Sequence, residues 1–363
     1  MSKRFIIAGG GTGGHIFPAI AIANAIKARM PDAVFLFVGA KGKMEMEKVP
    51  KAGYAIEGLD IAGFNRSSLL KNIGLPYKLF LSFLQVRHIF KKFKPDAVIG
   101  VGGYSSFPVL RFAQSRGIKT FIHESNSFAG KSNILLGKNA TRVFVATPGM
   151  EKFFPAAKIM VSGNPIRSAI ANSSISRNEA LQFFGLDPAK QTILVVGGSL
   201  GATSINDALL NGLDVFEKNN LQLIWQTGKV NAARYARAAA GKNHIWVNEF
   251  IQEMEYGYAA ADVIVSRAGA MAVTEISVVA KPAVLVPFPF AAEDHQTANA
   301  MQLVNAGAAL IVKDAEAAAS LVNTVTGLAL DKARQESLRL QIRQFGRVDA
   351  DQLIANEILK MIA

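Results

Sequence analysis

The chain has 363 residues, half of them apolar and 18% charged, with 40 Lys/Arg against 27 Asp/Glu and no cysteine. That length exceeds one ordinary core and the apolar content excludes a disordered chain, so two folded domains are expected. The lack of cysteine excludes disulfide scaffolds, thiolate zinc sites and cysteine nucleophiles, and charges interrupt every apolar stretch before the ~18–20 residues that a spanning helix needs.

Residues 4–8 read as a strand, 9–14 as a glycine turn and 18–29 as a helix, with a second apolar strand at 34–38. This is the βαβ opening of a doubly wound sheet. The apolar run 5–8 behind Lys3 and Arg4 stops at Gly9, short of the ~7–15 residues of an export signal, so a cytoplasmic address is expected. Further short buried strands are predicted at 97–101, 120–123 and 142–146, and the Gly-Asn-Pro segment 162–167 reads as a linker. The pattern then restarts, with a strand at 192–196, a glycine turn at 197–201 and a helix opening at 202–210. Strands at 221–226, 244–247, 263–266 and 283–286 follow, and a last helix covers 350–361. The duplicated opening predicts two Rossmann-like domains with doubly wound parallel sheets, facing each other across a cleft. Their expected extents are 1–162 and 163–345, with 346–363 as a terminal helix that packs on either domain.

The charge is unevenly placed. Residues 1–167 hold 24 Lys/Arg against 8 Asp/Glu, whereas residues 168–363 hold 16 against 19. Such asymmetry points to a polyanion facing the first domain, either anionic lipid or nucleic acid. Between Ile61 and Pro95 there is no acid, while seven Lys/Arg alternate with aromatic and aliphatic residues. Leu79, Phe83, Val86, Phe90 and Phe93 recur at helical spacing and predict a core stripe, with Phe80, Leu81 and Leu84 off it. Surplus apolar side chains beside lysines suit an anionic membrane surface. The candidate contacts are Lys71, Leu75, Lys78, Leu79, Phe80, Phe83, Lys91 and Lys92. A core helix with a solvated basic face is the alternative. No nucleic-acid motif accompanies the charge, so a nucleic-acid partner is not expected.

A glycine turn between strand and helix lets main-chain N–H groups and the positive helix end approach a phosphate. The stretch Gly9 to Gly14 contains G-x-G-x-x-G, but Gly39, Ala40 and Lys41 stand where a dinucleotide site needs its ribose-binding acid. Gly130-Lys131-Ser132 resembles the end of a P-loop, yet Ser125 replaces its first glycine and no strand leads directly into it. The five histidines show no close pairing, and Asp349-Ala350-Asp351 opens the last helix, where acids suit the helix dipole. Neither a metal nor a cofactor is expected. Glu275 falls in a helix start after the glycine turn at Gly269, where a carboxylate can accept from two vicinal hydroxyls; a solvated helix acid is the alternative.

Together these motifs resemble the MurG family of bacterial UDP-N-acetylglucosamine transferases along nearly the whole chain. The carriers are Gly10 to His15, Gly102-Gly103-Tyr104, His123-Glu124-Ser125-Asn126, Gly163 to Arg167, Gly197 to Gly201, Arg267 to Glu275, and Asp294-His295-Gln296-Thr297 with Asn299. The resemblance implies a metal-independent GT-B fold. It also implies inverting transfer of GlcNAc from UDP-GlcNAc to the 4-hydroxyl of undecaprenyl-pyrophosphoryl-MurNAc-pentapeptide, by a peripheral enzyme on the cytoplasmic face of the plasma membrane. By the same resemblance Ser199 meets the diphosphate and Ile251 offers main-chain groups to uracil. Ala270, Met271, Ala272, Val273 and Thr274 line the phosphate turn, and Glu275 holds ribose. Gln296 and Asn299 read the sugar, Arg167 and Asn126 touch the donor, and Thr12, Gly13 and Gly14 form the acceptor loop. Ser125 and Thr297 stand where the family often has Gln. His15 is the first candidate for the general base, since an imidazole suits proton transfer near neutral pH and it follows the first turn; a helix-start histidine bonding main chain is the alternative. Glu124 and Asn126 are the alternatives for orienting the hydroxyl. Three rival functions share these features: another GT-B transferase, a UDP-sugar 2-epimerase, and a non-catalytic nucleotide-sugar or nucleic-acid binder.

Overall fold

The computed structural model describes residues 2–63, 72–198 and 200–363. The chain divides into two compact units, Met1–Arg167 with Asp349–Ala363, and Ser168–Val348. These breaks lie a few residues beyond the sequence boundaries at 162/163 and 345/346, because segment 163–167 packs on the first unit. Ile166 is buried there, Asn164 Nδ2 donates to the Ser125 carbonyl at 3.0 Å, and the Arg167 guanidinium lies over the Phe17 ring.

The first unit is built on seven strands: β1 (Arg4–Ala8), β2 (Val34–Ala40), β3 (Ala55–Leu59), β4 (Ala97–Gly100), β5 (Lys119–Glu124), β6 (Arg142–Val145) and β7 (Ile159–Val161). They pair in the order β3-β2-β1-β4-β5-β6-β7, all parallel. Successive residues of β1 serve opposite faces, as strand geometry requires. Phe5 and Ile7 pack with the helices Gly13–Arg29 and Ala350–Ile362, whereas Ile6 and Ala8 pack with Val86, Phe90, Val109 and Leu110 of the helices Leu75–Phe93 and Ser106–Ser115. Burial on both faces is why the central strands read as unbroken apolar runs. The terminal helix therefore closes the first unit, and Arg142 pairs with its Glu357 at 2.7 Å. Asp349 occupies the N-cap position of this helix without a side-chain cap bond, and Asp351 lies in its first turn, where acids suit the helix dipole.

The second unit has β8 (Gln191–Val196), β9 (Leu221–Gln226), β10 (Ile245–Asn248), β11 (Val263–Ser266), β12 (Ala283–Leu285) and β13 (Leu310–Ile311), in the order β10-β9-β8-β11-β12-β13 and again parallel. Its core gathers Ile193, Val195, Leu223, Trp225, Val263, Val265 and Val284 under the helix Thr203–Asn211.

Three strands escaped the sequence reading. β3 and β7 lie at the two edges of the first sheet and β13 at one edge of the second; β3 is interrupted by Glu57 and Gly58, and β7 and β13, though apolar, are only three and two residues long. The helix Leu75–Phe93 also needs correction. Its buried residues are Ser82, Val86, Ile89 and Phe90, whereas Leu79 is exposed and Phe83 half-buried. The first two turns of this helix make no core, because the inward stripe starts only at Ser82. Lys71, among the candidate membrane residues, lies outside the described residues.

In each sheet the strand order reverses once beside the first strand of the unit, between β1 and β4 and between β8 and β11. Loops at the carboxyl ends of such a pair flank a crevice where doubly wound folds bind ligands. Both glycine turns leave the sheets there.

Candidate functional site

In the first unit Ala8 pairs with Gly100 in register, so residues 9–12 and 101–104 leave the sheet side by side. Thr12 caps the helix Gly13–Arg29, and the amides of Gly13 and Gly14, at its first positions, lack intrahelical acceptors. The half-buried His15 turns back so that Nδ1 lies 3.0 Å from the Gly10 carbonyl, with Thr12 Oγ1 at 3.4 Å. Its ring rests on Gly102, where a Cβ would stand 2.9 Å from Nε2. Beneath the turn is a residue the sequence reading missed. Glu45 is 1% exposed, accepting from Gly11 N–H at 2.9 Å and from Ala40 N–H at 3.0 Å. A Cβ at Gly10 would stand 2.4 Å from its carboxyl carbon, so the turn and this carboxylate fit only because residue 10 is glycine. The acid sought at the end of β2 thus sits five residues after Ala40, in the helix Glu45–Lys51, and binds the turn rather than a ribose.

Glu124, an alternative for orienting the acceptor hydroxyl, has another task. Its Oε1 accepts from Asn126 N at 3.1 Å and Nδ2 at 3.2 Å, and its Oε2 from Gly130 N at 3.0 Å and Asn133 Nδ2 at 2.8 Å. Four donors fix this buried carboxylate as the tie of loop 124–130; contrary to the sequence reading, β5 does run directly into the segment that ends in Gly130-Lys131-Ser132, but its Gly130 amide is spent on Glu124. Beside it His123 is fully buried, Nε2 facing the Gly163 carbonyl at 3.4 Å, and burial pushes its pKa down to about 4.

In the second unit Val196 pairs with Ser266, which brings the turn after β8 beside the turn after β11. Ser199 lies outside the described residues. The turn is clasped by the loop after β9, where a Cβ on Gly201 would stand 2.2 Å from the Thr227 carbonyl oxygen. Gln226, also unforeseen, donates through Nε2 to the Gly198 carbonyl at 3.1 Å and accepts Ile251 N–H at 3.3 Å. That bond engages the Ile251 amide, one of the two main-chain groups at that residue. Ala270, Met271 and Ala272 open the helix Ala270–Val278 behind the cap Gly269, and their amides point out of its positive end. Val273 and Thr274 complete its first turns, Thr274 Oγ1 donating to the Ala270 carbonyl at 2.9 Å. Glu275 is buried, not solvated, and its Oε2 accepts the Tyr258 hydroxyl at 2.9 Å. Asn299 is buried and donates to the Ala268 carbonyl at 3.2 Å, and Gln296 Oε1 accepts Phe288 N–H at 2.9 Å. Thr297, where a long amide is common in the family, instead donates to Asp294 at 2.7 Å.

Glycine turns and helix starts at the carboxyl ends of two doubly wound sheets suit a phosphate-bearing ligand. Residues 5–145 match the model described as glycosyltransferase family 28 N-terminal domain, and residues 192–354 the corresponding C-terminal domain. The chain is 50% identical over 361 residues to a UDP-N-acetylglucosamine--N-acetylmuramyl-(pentapeptide) pyrophosphoryl-undecaprenol N-acetylglucosamine transferase of Phocaeicola vulgatus, covering 99% of this chain and 96% of that protein. The chain belongs to glycosyltransferase family 28, in its MurG branch. A MurG-branch relative of the same name from Flavobacterium psychrophilum is 45% identical over 359 residues, covering 99% and 98%. The crystal structure of Acinetobacter baumannii MurG matches with a TM-score of 0.80 at 30% identity, over 99% of this chain and all of that one. A UDP-N-acetylglucosamine 2-epimerase structure matches with a TM-score of 0.68 at 15% identity, a likeness of fold alone. The two parallel sheets are the GT-B fold of the family.

Proposed function

We propose that the chain is a glycosyltransferase that moves GlcNAc from UDP-GlcNAc to the 4-hydroxyl of undecaprenyl-pyrophosphoryl-MurNAc-pentapeptide, the step that completes the lipid-linked disaccharide of peptidoglycan. Its main support is the match along 99% of the chain, at 45–50% identity, to relatives named for that transfer. The acceptor oxygen attacks C1 of the α-linked sugar, the C1–O bond to the diphosphate breaks, and a β-1,4 bond forms with inversion as UDP leaves. A single displacement needs no covalent nucleophile. It needs a base at the hydroxyl and stabilisation of the charge that grows on the diphosphate.

His15 is the base, and the contact of Nδ1 with the Gly10 carbonyl favours this, since it leaves Nε2 for the proton. Thr12, Gly13 and Gly14 form the acceptor loop. On the donor side the amides at the start of the helix Ala270–Val278 meet the diphosphate and Glu275 binds the ribose. Ser199 joins the phosphate contacts, Ile251 the uracil contacts, Gln296 and Asn299 those of the sugar, with Arg167 and Asn126 completing the donor set.

The helix Leu75–Phe93 holds the enzyme peripherally on the cytoplasmic face of the membrane. Ile73 (75% exposed), Tyr77 (66%), Phe80 (60%) and Leu84 (48%) stand out beside Lys78, Lys91 and Lys92 with no acid in the helix, which is the composition of a lipid-facing surface. No helix among the described residues is long and apolar enough to cross a membrane.

The test is incubation of UDP-GlcNAc with the lipid-linked muramyl-pentapeptide. Release of UDP together with a disaccharide lipid is the expected result; donor turnover without acceptor would mark an epimerase instead.

A further inference from the structure

The peptide joining Gly10 to Gly11 is held at both ends. Its N–H donates to Glu45 Oε2 at 2.9 Å, and its carbonyl lies 3.0 Å from His15 Nδ1. A carbonyl only accepts, so the neutral imidazole carries its hydrogen on Nδ1 and its lone pair on Nε2. The other oxygen of Glu45 is fixed by Ala40 N–H at 3.0 Å. The carboxylate, the peptide and the ring thus form one continuous hydrogen-bonded line.

We propose that Glu45 is a positioning residue for sugar transfer: acting through the Gly10–Gly11 peptide, it holds His15 in the tautomer that presents Nε2 to the acceptor hydroxyl and stabilises the imidazolium that follows. An anion on a peptide N–H shifts electron density to the carbonyl oxygen and makes it a stronger acceptor, because hydrogen bonds in series polarise one another in a low-dielectric interior. A carboxylate bonded directly to Nδ1–H does the same in hydrolytic triads; here a peptide stands between the two. During transfer the hydroxyl proton passes to Nε2 as oxygen bonds C1 and the C1–diphosphate bond breaks. Nδ1 keeps its hydrogen, and Glu45 gains none. The glycines fit this line: a Cβ at residue 10 or 39 would strike the Glu45 side chain at 2.4 or 2.5 Å, and one at 102 would press on Nε2.

The inference rests on His15 being the base, and the test separates the two. In the parent protein, ¹⁵N NMR of neutral His15 should show Nδ1 protonated and Nε2 bare, and the Gly11 amide proton should lie far downfield. A ring protonated at Nε2 overturns the inference even if Glu45 variants fail to fold. Glu45→Gln, which sets an amide NH₂ against a main-chain N–H, should lower kcat by about 10- to 100-fold, the range typical of residues that orient a functional histidine, with KM for UDP-GlcNAc unchanged. In a His15→Ala background the same change should cost no further transfer rate, since both act on one proton. Losses that multiply in the double variant would mean a purely structural role and overturn it. Transfer by His15→Ala at the parent rate would overturn the base reading and this inference with it; a slowed His15→Ala beside a ring protonated at Nε2 overturns this inference alone.

Discussion

Replacing Glu275 by Gln removes a charge while keeping the shape of the side chain. Its neighbour Tyr258 is buried and donates its hydroxyl to Oε2, and an amide oxygen accepts that hydrogen equally well in direction. Folding should therefore lose on the order of 1 kcal/mol, the difference between a charge-assisted and a neutral hydrogen bond. For a unit of this size that moves Tm by about 2–4 °C. The ligand side loses more. Two vicinal ribose hydroxyls donating to a carboxylate each fall from ~1.5–3 kcal/mol to ~0.5–1.5 kcal/mol, which sums to about 2 kcal/mol, or roughly 30-fold in Kd for UDP and UDP-GlcNAc. Isothermal titration of parent and variant measures it, and 2′-deoxy-UDP supplies the control. That ligand lacks one of the two hydroxyls, so its loss on Glu275→Gln should be smaller by about 1 kcal/mol. An equal loss with both nucleotides would show that the carboxylate does not read the ribose.

His15→Ala should slow single-turnover transfer by ~10²–10⁴-fold while leaving UDP-GlcNAc affinity near the parent value; a variant that merely melts earlier and transfers normally would refute the base assignment. Changing Lys78, Lys91 and Lys92 together to Gln should weaken flotation with anionic liposomes by up to about 3 kcal/mol of electrostatic attraction, and salt should weaken the parent in the same way; equal flotation would remove this helix from the membrane contact. His123 is held neutral by burial, with a folded pKa of about 4 against 6.5 in the unfolded chain, so the folded state binds fewer protons between those values. Its contribution is complete above pH 6.5 and is lost as pH falls toward 4, by up to about 3 kcal/mol; urea unfolding across that window should show the slope, and His123→Gln should flatten it.

The legible features are local ones. Central parallel strands such as β1 and β11 are buried on both faces, so short apolar runs closed by a glycine or a polar residue mark them within a residue or two. The edge strands β7 and β13 are apolar but only three and two residues long, and Glu57 interrupts β3. In the helix Leu75–Phe93 the sequence offers two apolar faces at helical spacing, and periodicity cannot say which one meets the sheet. Burial chooses the face of Val86, Ile89 and Phe90, which carries a serine at position 82 whose hydroxyl is satisfied by the Leu79 carbonyl at 2.6 Å. Glu45, Gln226 and Tyr258 were illegible for a different reason. Glu45 bonds main-chain groups five and 34 residues away and Gln226 bonds groups 25 and 28 residues away, and a main-chain partner leaves no trace in residue type. Tyr258 reaches a carboxylate 17 residues on, in another helix.

The two glycine turns look alike as sequence, yet they are braced by opposite chemistry. Behind the first lies a buried carboxylate that already takes the Gly11 amide, so an anion is built into that turn. Behind the second lies the neutral amide of Gln226, bonded to the Gly198 carbonyl, with the positive end of the helix Ala270–Val278 opening beside it at the β8/β11 reversal. That inequality suits the roles proposed for the two turns. With His15 as base, positive charge develops on its ring and negative charge on the departing diphosphate, so an internal anion suits the first turn and the amides of a helix start suit the second. Placing Asp at Gln226 should therefore harm the donor side specifically. Its shorter carboxylate adds charge at the turn and cannot donate to the Gly198 carbonyl, so UDP-GlcNAc affinity should fall at least tenfold, with Gln226→Glu repeating the loss at full side-chain length. If Gln226→Glu binds UDP-GlcNAc as tightly as the parent, charge behind the second turn is irrelevant to the donor, and the division of labour between the turns has some other cause.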